Sequence, residues 1–337
     1  MKFIKPSTPV KKIHKQSGGD IVLAKNPKPE LPEYYRNKCA EPQPLVAMDG
    51  REFTRMPIPK SVPLLGNWLM EQSLIMIHAG RGYGKTYLAL WIACAIAAGL
   101  DLFNWKCKEA KKVIYLDGEM ASKTLQSRIR AINKTMKPAY GMFKLVTPDF
   151  QQGVLPDLST REGQAMINNA IDPDTNLIIV DNLSCWSKSG REDSETWAPI
   201  AEWALHHRAE GRSVIFIHHS GKAGTQRGTS RREDLLDVVL ALKKSPDSSP
   251  SDGACFEIIF EKNRHLVGDD VAPIKVQLVE NEEGVQQWSW EIVSDLSKER
   301  LGQIIELTEQ GLNQSEIAKK LGINRSSVSR ALKKRKH

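Results

Sequence analysis

The chain alternates short apolar runs with longer helical patterns along most of its length. The short apolar runs have the length of buried strands, and they lie at 74–78, 113–116, 177–180, 235–242, 255–261, 274–279 and 288–292, with one more ending at His218 and His219. Helix-like segments occupy 86–98, 122–136 and 194–210. Strands that alternate with helices predict an α/β fold with a twisted, mostly parallel sheet between helices.

Both ends of the chain differ from this middle part. Residues 1–63 contain 10 of the 18 prolines, and proline removes backbone donors and breaks helices. We therefore expect an extended or partly disordered arm at 1–60 and the α/β domain at 61–294. The segment 297–337 has a helical pattern of its own and predicts a small all-α domain. The polar stretch 245–253 indicates an exposed hairpin loop between two strands.

A glycine-rich loop follows the first of the predicted strands. It has the order of the phosphate-binding loop, Gly-x4-Gly-Lys-Ser/Thr, with alanine at the first position. The loop and its flanks are Ala79, Gly80, Arg81, Gly82, Tyr83, Gly84, Lys85, Thr86 and Tyr87. Its glycines allow backbone N–H groups to face a hollow at a helix N-terminus, which suits phosphate. Lys85 would then hold the β- and γ-phosphates of ATP, and Thr86 would ligate Mg²⁺. The alternative is a glycine-rich turn without a ligand.

Polar side chains follow several of the predicted strands. The carboxyl edge of an open parallel sheet is where ligands bind. Asp181 suits a contact to Mg²⁺, and Glu119 suits a base that activates or orients the attacking water. We expect either His218 or His219 to report on the γ-phosphate. The alternatives are a cap or turn residue for Asp181, a surface carboxylate for Glu119 and a buried, hydrogen-bonded histidine.

The basic residues are concentrated at the two ends of the chain. The net charge is +8, with +6 in residues 1–60 and +6 in residues 297–337, so the middle part is mildly acidic. Basic ends favour nucleic acid as a partner, although a solvated tail is the better interpretation of the first 60 residues. No apolar run reaches the length of a membrane span, and the five cysteines form no CxxC pair. These features predict a cytoplasmic protein with reduced thiols and no membrane segment.

The C-terminal segment NQSEIAKKLGINRSSVSRALKK has the apolar spacing of a helix-turn-helix. Asn313 and Glu316 form a plausible capping box, Ala318 lets two helices approach, and Val328 packs back on the first helix. A further helix at 298–309 would complete a three-helix domain. The side chains expected to contact duplex DNA are Asn324, Arg325, Ser326, Ser329, Arg330 and Lys333. The alternative is a small helical domain with a solvated basic tail.

Four motifs in this order and spacing resemble the RecA-type ATPases: the phosphate loop, YLDGEM, LIIVDN and FIHHSGK. The likeness is closest to the plasmid RepA-type hexameric replicative helicases and their phage relatives, and it covers about residues 61–292. It implies a homo-hexamer or other ring with ATP bound between neighbouring subunits. It also implies Glu119 as the catalytic base, Asp181 as the metal aspartate and a histidine after the fourth core strand as the sensor.

Two basic elements lie after the histidine pair. Ring ATPases of the resembled type place a cation from one subunit on the γ-phosphate bound to the next. Arg227 and the pair Lys262 and Arg264 occupy positions that the family uses for this cation. We favour Arg264 with Lys262 because a strand end fixes a side chain better than a glycine-flanked segment does. The alternative for each element is surface charge.

The loops after Asp181 and after His219 are expected to line the channel of the ring. The residues they offer to single-stranded DNA are Trp186, Lys188, Arg191 and Lys222. An aromatic ring beside basic groups suits base stacking together with phosphate contact. The alternative is a pair of solvated active-site loops.

The sequence therefore combines the parts of a nucleotide-hydrolysing engine with a DNA-binding domain. The first interpretation is an ATP-dependent DNA motor, a ring helicase that replicates a plasmid, phage or other mobile element. The second is a DNA-binding regulator or loader in which ATP switches assembly without unwinding. A third, ranked well below, is a RecA-type protein that phosphorylates itself or a partner. The hydrolytic residue Glu119 and the candidate trans cations favour the motor.

Overall fold

The structure is a computed structural model, and it describes residues 47–188, 194–219, 234–245, 254–264 and 269–321, with 323, 325, 328, 329 and 332. Its strands are β1 Pro63–Leu65, β2 Leu69–Met70, β3 Leu74–Ala79, β4 Val113–Asp117, β5 Phe143–Val146, β6 Leu177–Asp181, β7 Ser213–His219, β8 Val238–Lys244, β9 Cys255–Asn263, β10 Ile274–Glu280 and β11 Gln286–Ile292. Its α-helices are α1 Gly50–Arg55, α2 Lys85–Ala98, α3 Ser122–Ile132, α4 Arg161–Asn168, α5 Leu183–Trp186, α6 Ser194–Ala209, α7 Val293–Glu309 and α8 Gln314–Lys320.

Nine strands form one sheet in the order β11-β10-β9-β8-β3-β7-β6-β4-β5. The six strands from β8 to β5 run parallel, and β9, β10 and β11 are antiparallel additions. The mostly parallel α/β fold predicted from the sequence is confirmed. The parallel arrangement brings the ends of β3, β4, β6 and β7 to one edge of the sheet.

Apolar cores lie on both faces of the sheet. Helix α2 covers one face, and it is apolar all round because it is buried from Leu88 to Ala97. The other face is covered by α5 and α6. Strands covered on both faces read as continuous apolar runs, which is why β3, β4 and β6 are visible in the sequence.

Several elements differ from the sequence prediction. Helix α3 ends at Ile132 rather than at 136, and β8 begins at Val238 rather than at 235. The edge strand β5 was missed because it is short and its two middle residues are exposed. Within the arm predicted at 1–60, the described part contains the exposed helix α1, and residues 1–46 lie outside the described residues.

The C-terminal helices α7 and α8 enclose a small core of their own. Ile304, Leu307, Ile317, Ala318 and Val328 are buried together, as the helix-turn-helix spacing predicts. The capping box is present, because the Asn313 side chain accepts from the Glu316 backbone while the Glu316 carboxylate accepts from the Asn313 backbone. Helix α7 starts at Val293, directly after β11, whereas the sequence prediction started it at 298.

No helix in the described ranges combines the length and the apolar character needed to cross a bilayer.

Candidate nucleotide-binding site

The predicted phosphate loop connects the end of β3 to the start of α2. Gly84, the residue before α2, has a left-handed backbone with φ of 90°. A Cβ atom at this position would also lie 2.7 Å from a ring carbon of Phe256. Both features require glycine. Ala79, by contrast, is 2% exposed and its methyl group packs into the core, so the fold accommodates alanine at the first position of the loop.

Lys85 lies at the base of this loop with its ammonium group inside the fold. Nζ donates to the carbonyl oxygens of Ala79 at 3.0 Å and Gly80 at 2.8 Å. Burial lowers the pKa of Lys85, and the nearby carboxylates of Asp181 and Glu119 act in the opposite direction. A buried ammonium group beside open loop amides suits an anionic ligand.

Asp181 ends β6 and lies beside the first turn of α2. Its carboxylate is 4% exposed, accepts from Tyr115 Oη at 2.5 Å and is hydrogen-bonded to the Thr86 side chain. Burial raises the pKa of Asp181, and these two hydrogen bonds act against that rise. The sequence identified Thr86 and Asp181 as possible metal ligands but not Tyr115 as the support of Asp181.

Three polar side chains form a cluster next to Lys85. Asn182 Nδ2 donates to Glu119 Oε2 at 2.5 Å and lies 3.2 Å from His219 Nε2. Glu119 Oε2 and His219 Nε2 are 3.7 Å apart. Burial, with the positive charge of Lys85, lowers the pKa of His219, so its ring is neutral at neutral pH. Asn182 is 2% exposed and was missed in the sequence, where it reads as one residue of a turn.

Asp117 holds the turn that carries Glu119. Its carboxylate accepts from the backbone N–H of Met120 and from Thr147 Oγ1, and it is also bonded to the backbone of Glu119. Burial, together with the charge of neighbouring Asp181, raises the pKa of Asp117 to about 6.

These groups surround one cavity of about 580 Å³, a volume in the range of small-molecule sites. The predicted residues that line it are Arg81, Gly82, Gly84, Lys85, Thr86, Tyr87, Glu119, Asp181 and His219. Among the described residues, this lining does not include Ala79, Gly80, Tyr83 or His218. His218 is 1% exposed and lies on the opposite face of β7 from His219. Of the two histidines expected to report on the γ-phosphate, His219 is therefore the one that remains a candidate.

Arg128 is a further cavity residue that the sequence analysis missed. It comes from α3, and its guanidinium lies over the ring of Tyr87, 4.1 Å from the centroid. Its position depends on which face of α3 meets the cavity, and the helical pattern does not reveal this for a charged residue.

Lys262 and Arg264 lie toward the end of the parallel strands that is farther from the phosphate loop of the same chain. The Arg264 backbone N–H donates to the carbonyl of Asp237, and the Asp237 backbone N–H donates to the carbonyl of Leu74. Leu74 begins β3, whereas the loop follows its last residue, Ala79. Strand β3 therefore separates Arg264 from the cavity in its own subunit. The Arg264 guanidinium is 43% exposed and lies 3.9 Å from an Asp237 carboxylate oxygen.

One of the residues predicted to bind DNA has a different role. Trp186 is 1% exposed in the apolar core under α6, and its Nε1 donates to the Leu116 carbonyl at 3.1 Å. The prediction that it stacks on DNA is wrong, because the short helix α5 turns its ring inward. Lys188 is exposed. Arg191, Lys222 and Arg227 lie outside the described residues.

The structure describes two of the six residues predicted to contact duplex DNA. Arg325 is exposed and Ser329 is half-buried, and both are helical. The other four predicted contact residues fall outside the described part of the chain, and they are Asn324, Ser326, Arg330 and Lys333.

The fold and the cavity define a P-loop ATPase that carries a helix-turn-helix. Comparison with known families agrees, since residues 39–225 match the family described as AAA domain and residues 295–336 match the homeodomain-like domain. The chain belongs to this AAA domain family and is a RecA-type P-loop ATPase with a C-terminal helix-turn-helix.

Individual relatives are more distant. The DNA repair protein RadA of Campylobacter jejuni is 25% identical over 182 residues, which are 52% of this chain and 35% of RadA. The chain thus spans about a third of that relative. The RadB recombinase structure aligns with a TM-score of 0.43 and 19% identity, covering 62% of this chain and 88% of RadB.

Proposed function

We propose that this protein is an ATP-dependent DNA motor, a ring-shaped replicative helicase of a plasmid, phage or other mobile element. The observation that carries the proposal is the separation of two groups in one subunit. Glu119, Asn182 and His219 lie beside Lys85 at the cavity, whereas Arg264 lies at the far end of β3. A hydrolysis site that uses both groups requires two neighbouring subunits.

The cavity residues have distinct chemical roles in this proposal. Lys85 and the loop amides bind the phosphates of ATP. Glu119 accepts a proton from the attacking water, and Asn182 holds its carboxylate at 2.5 Å. His219 is neutral because burial lowers its pKa, so it is suited to hydrogen bonding at the γ-phosphate without adding charge.

Thr86 and Asp181 would hold Mg²⁺. The fit rests on a buried carboxylate and a hydroxyl that already contact each other, with Tyr115 orienting the carboxylate. The ion would supply charge neutralisation on the phosphates when bound. A cation at Asp181 would also counter the burial that raises its pKa.

Arg264, with Lys262, supplies positive charge to the nucleotide of the next subunit. A cation that arrives in trans stabilises the charge that develops on the transferred phosphoryl group, which contributes roughly 10³–10⁵ in rate in other enzymes of this chemistry. The side chain is 43% exposed and so is available for such a contact. Arg227 is the second candidate for this role.

DNA occupies two sites in the proposal. Single-stranded DNA passes through the ring channel, where the exposed Lys188 is one contact, together with the predicted Arg191 and Lys222. Duplex DNA binds at the helix-turn-helix, where Arg325 is exposed.

The direct test is strand displacement on a forked duplex with ATP and Mg²⁺. We expect unwinding by the full chain and none by Glu119→Gln, which should retain nucleotide binding. ATP hydrolysis that depends on DNA but displaces no strand would instead support the ATP-switched regulator or loader.

The trans arrangement has its own test, in which two inactive proteins are mixed. Arg264→Ala and Glu119→Gln subunits should form mixed rings in which some interfaces join an intact Glu119 to an intact Arg264. ATPase activity should therefore return on mixing. If the two variants co-assemble and no activity returns, the assignment of Arg264 is wrong.

A further inference from the structure

The outer half of the cavity is formed by the hairpin of β10 and β11. Leu278, Val279 and Glu280 end β10, Gln286 begins β11, and all four line the cavity. Ala254, just before β9, lies beside them, because its carbonyl accepts from the Leu278 N–H at 2.9 Å. The hairpin thus continues the cavity beyond the phosphate loop with an apolar wall that ends in two polar groups.

This hairpin is fixed to the opposite wall of the cavity. Lys134 Nζ donates to the Gly284 carbonyl at 2.9 Å, and Thr135 Oγ1 donates to the Gln286 carbonyl at 2.9 Å. Both donors directly follow α3, the helix that carries Arg128. The distance between the hairpin and the stacked pair of Arg128 and Tyr87 is therefore set by direct hydrogen bonds rather than by a flexible loop.

The two polar groups sit side by side and are hydrogen-bond acceptors. Glu280 and Gln286 are register partners in the antiparallel pair, so their side chains emerge on the same face. The Gln286 amide oxygen Oε1 is buried, and no residue of the described part of the chain donates to it. The Glu280 carboxylate, which only accepts, is exposed beside it. The buried Gln286 oxygen is costly to leave unsatisfied unless a ligand supplies the donor.

We propose that Glu280 and Gln286 select adenine by accepting hydrogen bonds from its exocyclic amine. This inference rests on the proposed function, in which the phosphate loop holds the triphosphate, so that the base extends toward the hairpin. Glutamine pairs well with adenine because its amide accepts from the 6-amine while donating to a ring nitrogen. The base is held between Leu278, which shares the strand face of Glu280, and the Arg128–Tyr87 side. A base with a carbonyl oxygen at position 6 places an acceptor against the Glu280 carboxylate and is rejected.

Inosine triphosphate tests this, because its base carries an oxygen where adenine carries the amine. Dissociation constants for ATP and inosine triphosphate are measured by calorimetry with Mg²⁺ on the full chain, and KM and kcat follow for both. We expect the wild type to bind ATP at least about ten-fold more tightly than inosine triphosphate, the effect of losing the hydrogen bond to the buried Gln286 oxygen. Glu280→Gln should reduce this preference to within about three-fold, because its amide can donate to the oxygen.

A second variant and a control separate recognition from folding. Gln286→Met should weaken the binding of ATP about ten-fold and the binding of inosine triphosphate much less. Glu283→Gln, on the exposed turn of the same hairpin, should leave the preference unchanged. Equal binding of both nucleotides by the wild type, or an unchanged preference in both Glu280→Gln and Gln286→Met, would overturn the inference. ATP hydrolysis in that case leaves the proposed function standing. A wild type that binds neither nucleotide would overturn both.

Discussion

Asn182 joins the proposed catalytic base to the proposed γ-phosphate sensor. Its Nδ2 lies 2.5 Å from Glu119 Oε2 and 3.2 Å from His219 Nε2, and its Oδ1 accepts from the Cys185 backbone at 3.2 Å. Both ends of the amide are therefore engaged, which fixes its orientation. The Glu119 side chain is 62% exposed, and its short contact to Asn182, with His219 3.7 Å away, restrains it. The position of the base thus depends on a residue that performs no chemistry itself.

Replacing Asn182 by alanine should lower kcat for ATP hydrolysis roughly 10- to 100-fold, a part of the 10²–10⁴ that a positioned base contributes. Nucleotide affinity should change little, because Asn182 does not hold the phosphates. Steady-state kinetics and calorimetry measure the two effects separately. Asn169→Ala, at the exposed position directly after α4, is the matched control. An unchanged kcat would show that Glu119 needs no such support.

The carboxyl group of Asp117 predicts a pH dependence of stability. Its pKa is about 6 in the fold against an ordinary value of 3.8, so the native state holds the proton more tightly than the unfolded state. The free energy of unfolding should therefore fall as pH rises from about 4 to 6, by up to about 3 kcal/mol in all. Denaturation at several pH values should show this fall for the wild type and lose it in Asp117→Asn.

Asp149 provides a control of opposite sign. Hydrogen bonds from Ser122 lower the pKa of this exposed carboxyl. Its contribution to the free energy of unfolding is therefore present at neutral pH and is lost as pH falls through the folded pKa. Asp149→Asn should remove that loss of stability at low pH. A wild type and Asp117→Asn with parallel pH profiles would contradict the assignment of a raised pKa to Asp117.

The sequence predicted the residues whose position in the fold follows from local order. Lys85 and Asp181 lie at fixed places after apolar strands, and a buried parallel strand is easily recognised. The choice between His218 and His219 could not be made, because β7 is apolar on both faces and its alternation carries no signal. Only the packing of the sheet against α2 decides which histidine faces the cavity.

Other residues depend on contacts between distant segments. Arg128, Glu280 and Gln286 reach the cavity because α3 and the β10–β11 hairpin meet, and no local pattern encodes that meeting. Trp186 shows the converse error. An aromatic residue close to lysine and arginine suggests an exposed loop, but four helical residues are enough to turn its ring into the core.

Arg128 should contribute to nucleotide affinity through its stack on Tyr87. Arg128→Lys keeps the charge but loses the planar group, so we expect KM for ATP to rise about three- to ten-fold while kcat changes less. Tyr87→Phe should preserve the stack, and Tyr87→Leu should reproduce the loss. Kinetics of these three variants give the answer. An equal KM in Tyr87→Leu and wild type would exclude the stacked pair as a determinant of affinity.

Substitutions at Lys188 and at Trp186 should have different effects, the first on DNA binding and the second on stability. Lys188→Glu should weaken single-stranded DNA binding at low salt, and the difference should shrink as salt rises, because phosphate contacts are screened. Trp186→Phe should instead lower the free energy of unfolding by about 1–3 kcal/mol through the lost bond to the Leu116 carbonyl. Its DNA affinity should match the wild type. Fluorescence anisotropy with labelled oligonucleotides and urea unfolding measure these effects.

A chain that ends at Ile292 should retain ATPase activity and lose tight duplex binding. The cut falls there because α7 begins at Val293, directly after β11, so a later cut would leave an unpaired turn of helix. The separate core of α7 and α8 predicts that the ATPase domain stays folded without it. Equal duplex affinity in the truncated and full chains would refute the assignment of this domain.

Point variants then distinguish base reading from charge attraction. Arg325 is exposed and helical, so Arg325→Ala should cost roughly 1–3 kcal/mol on the preferred duplex and relax sequence preference. Lys320→Ala, at the exposed end of α8, should weaken all duplexes alike and flatten the salt dependence. The preferred duplex is first selected from a random pool with the full chain. A uniform loss in Arg325→Ala across sequences would make Arg325 a phosphate contact, and the reading of bases would then have to come from other residues of the motif.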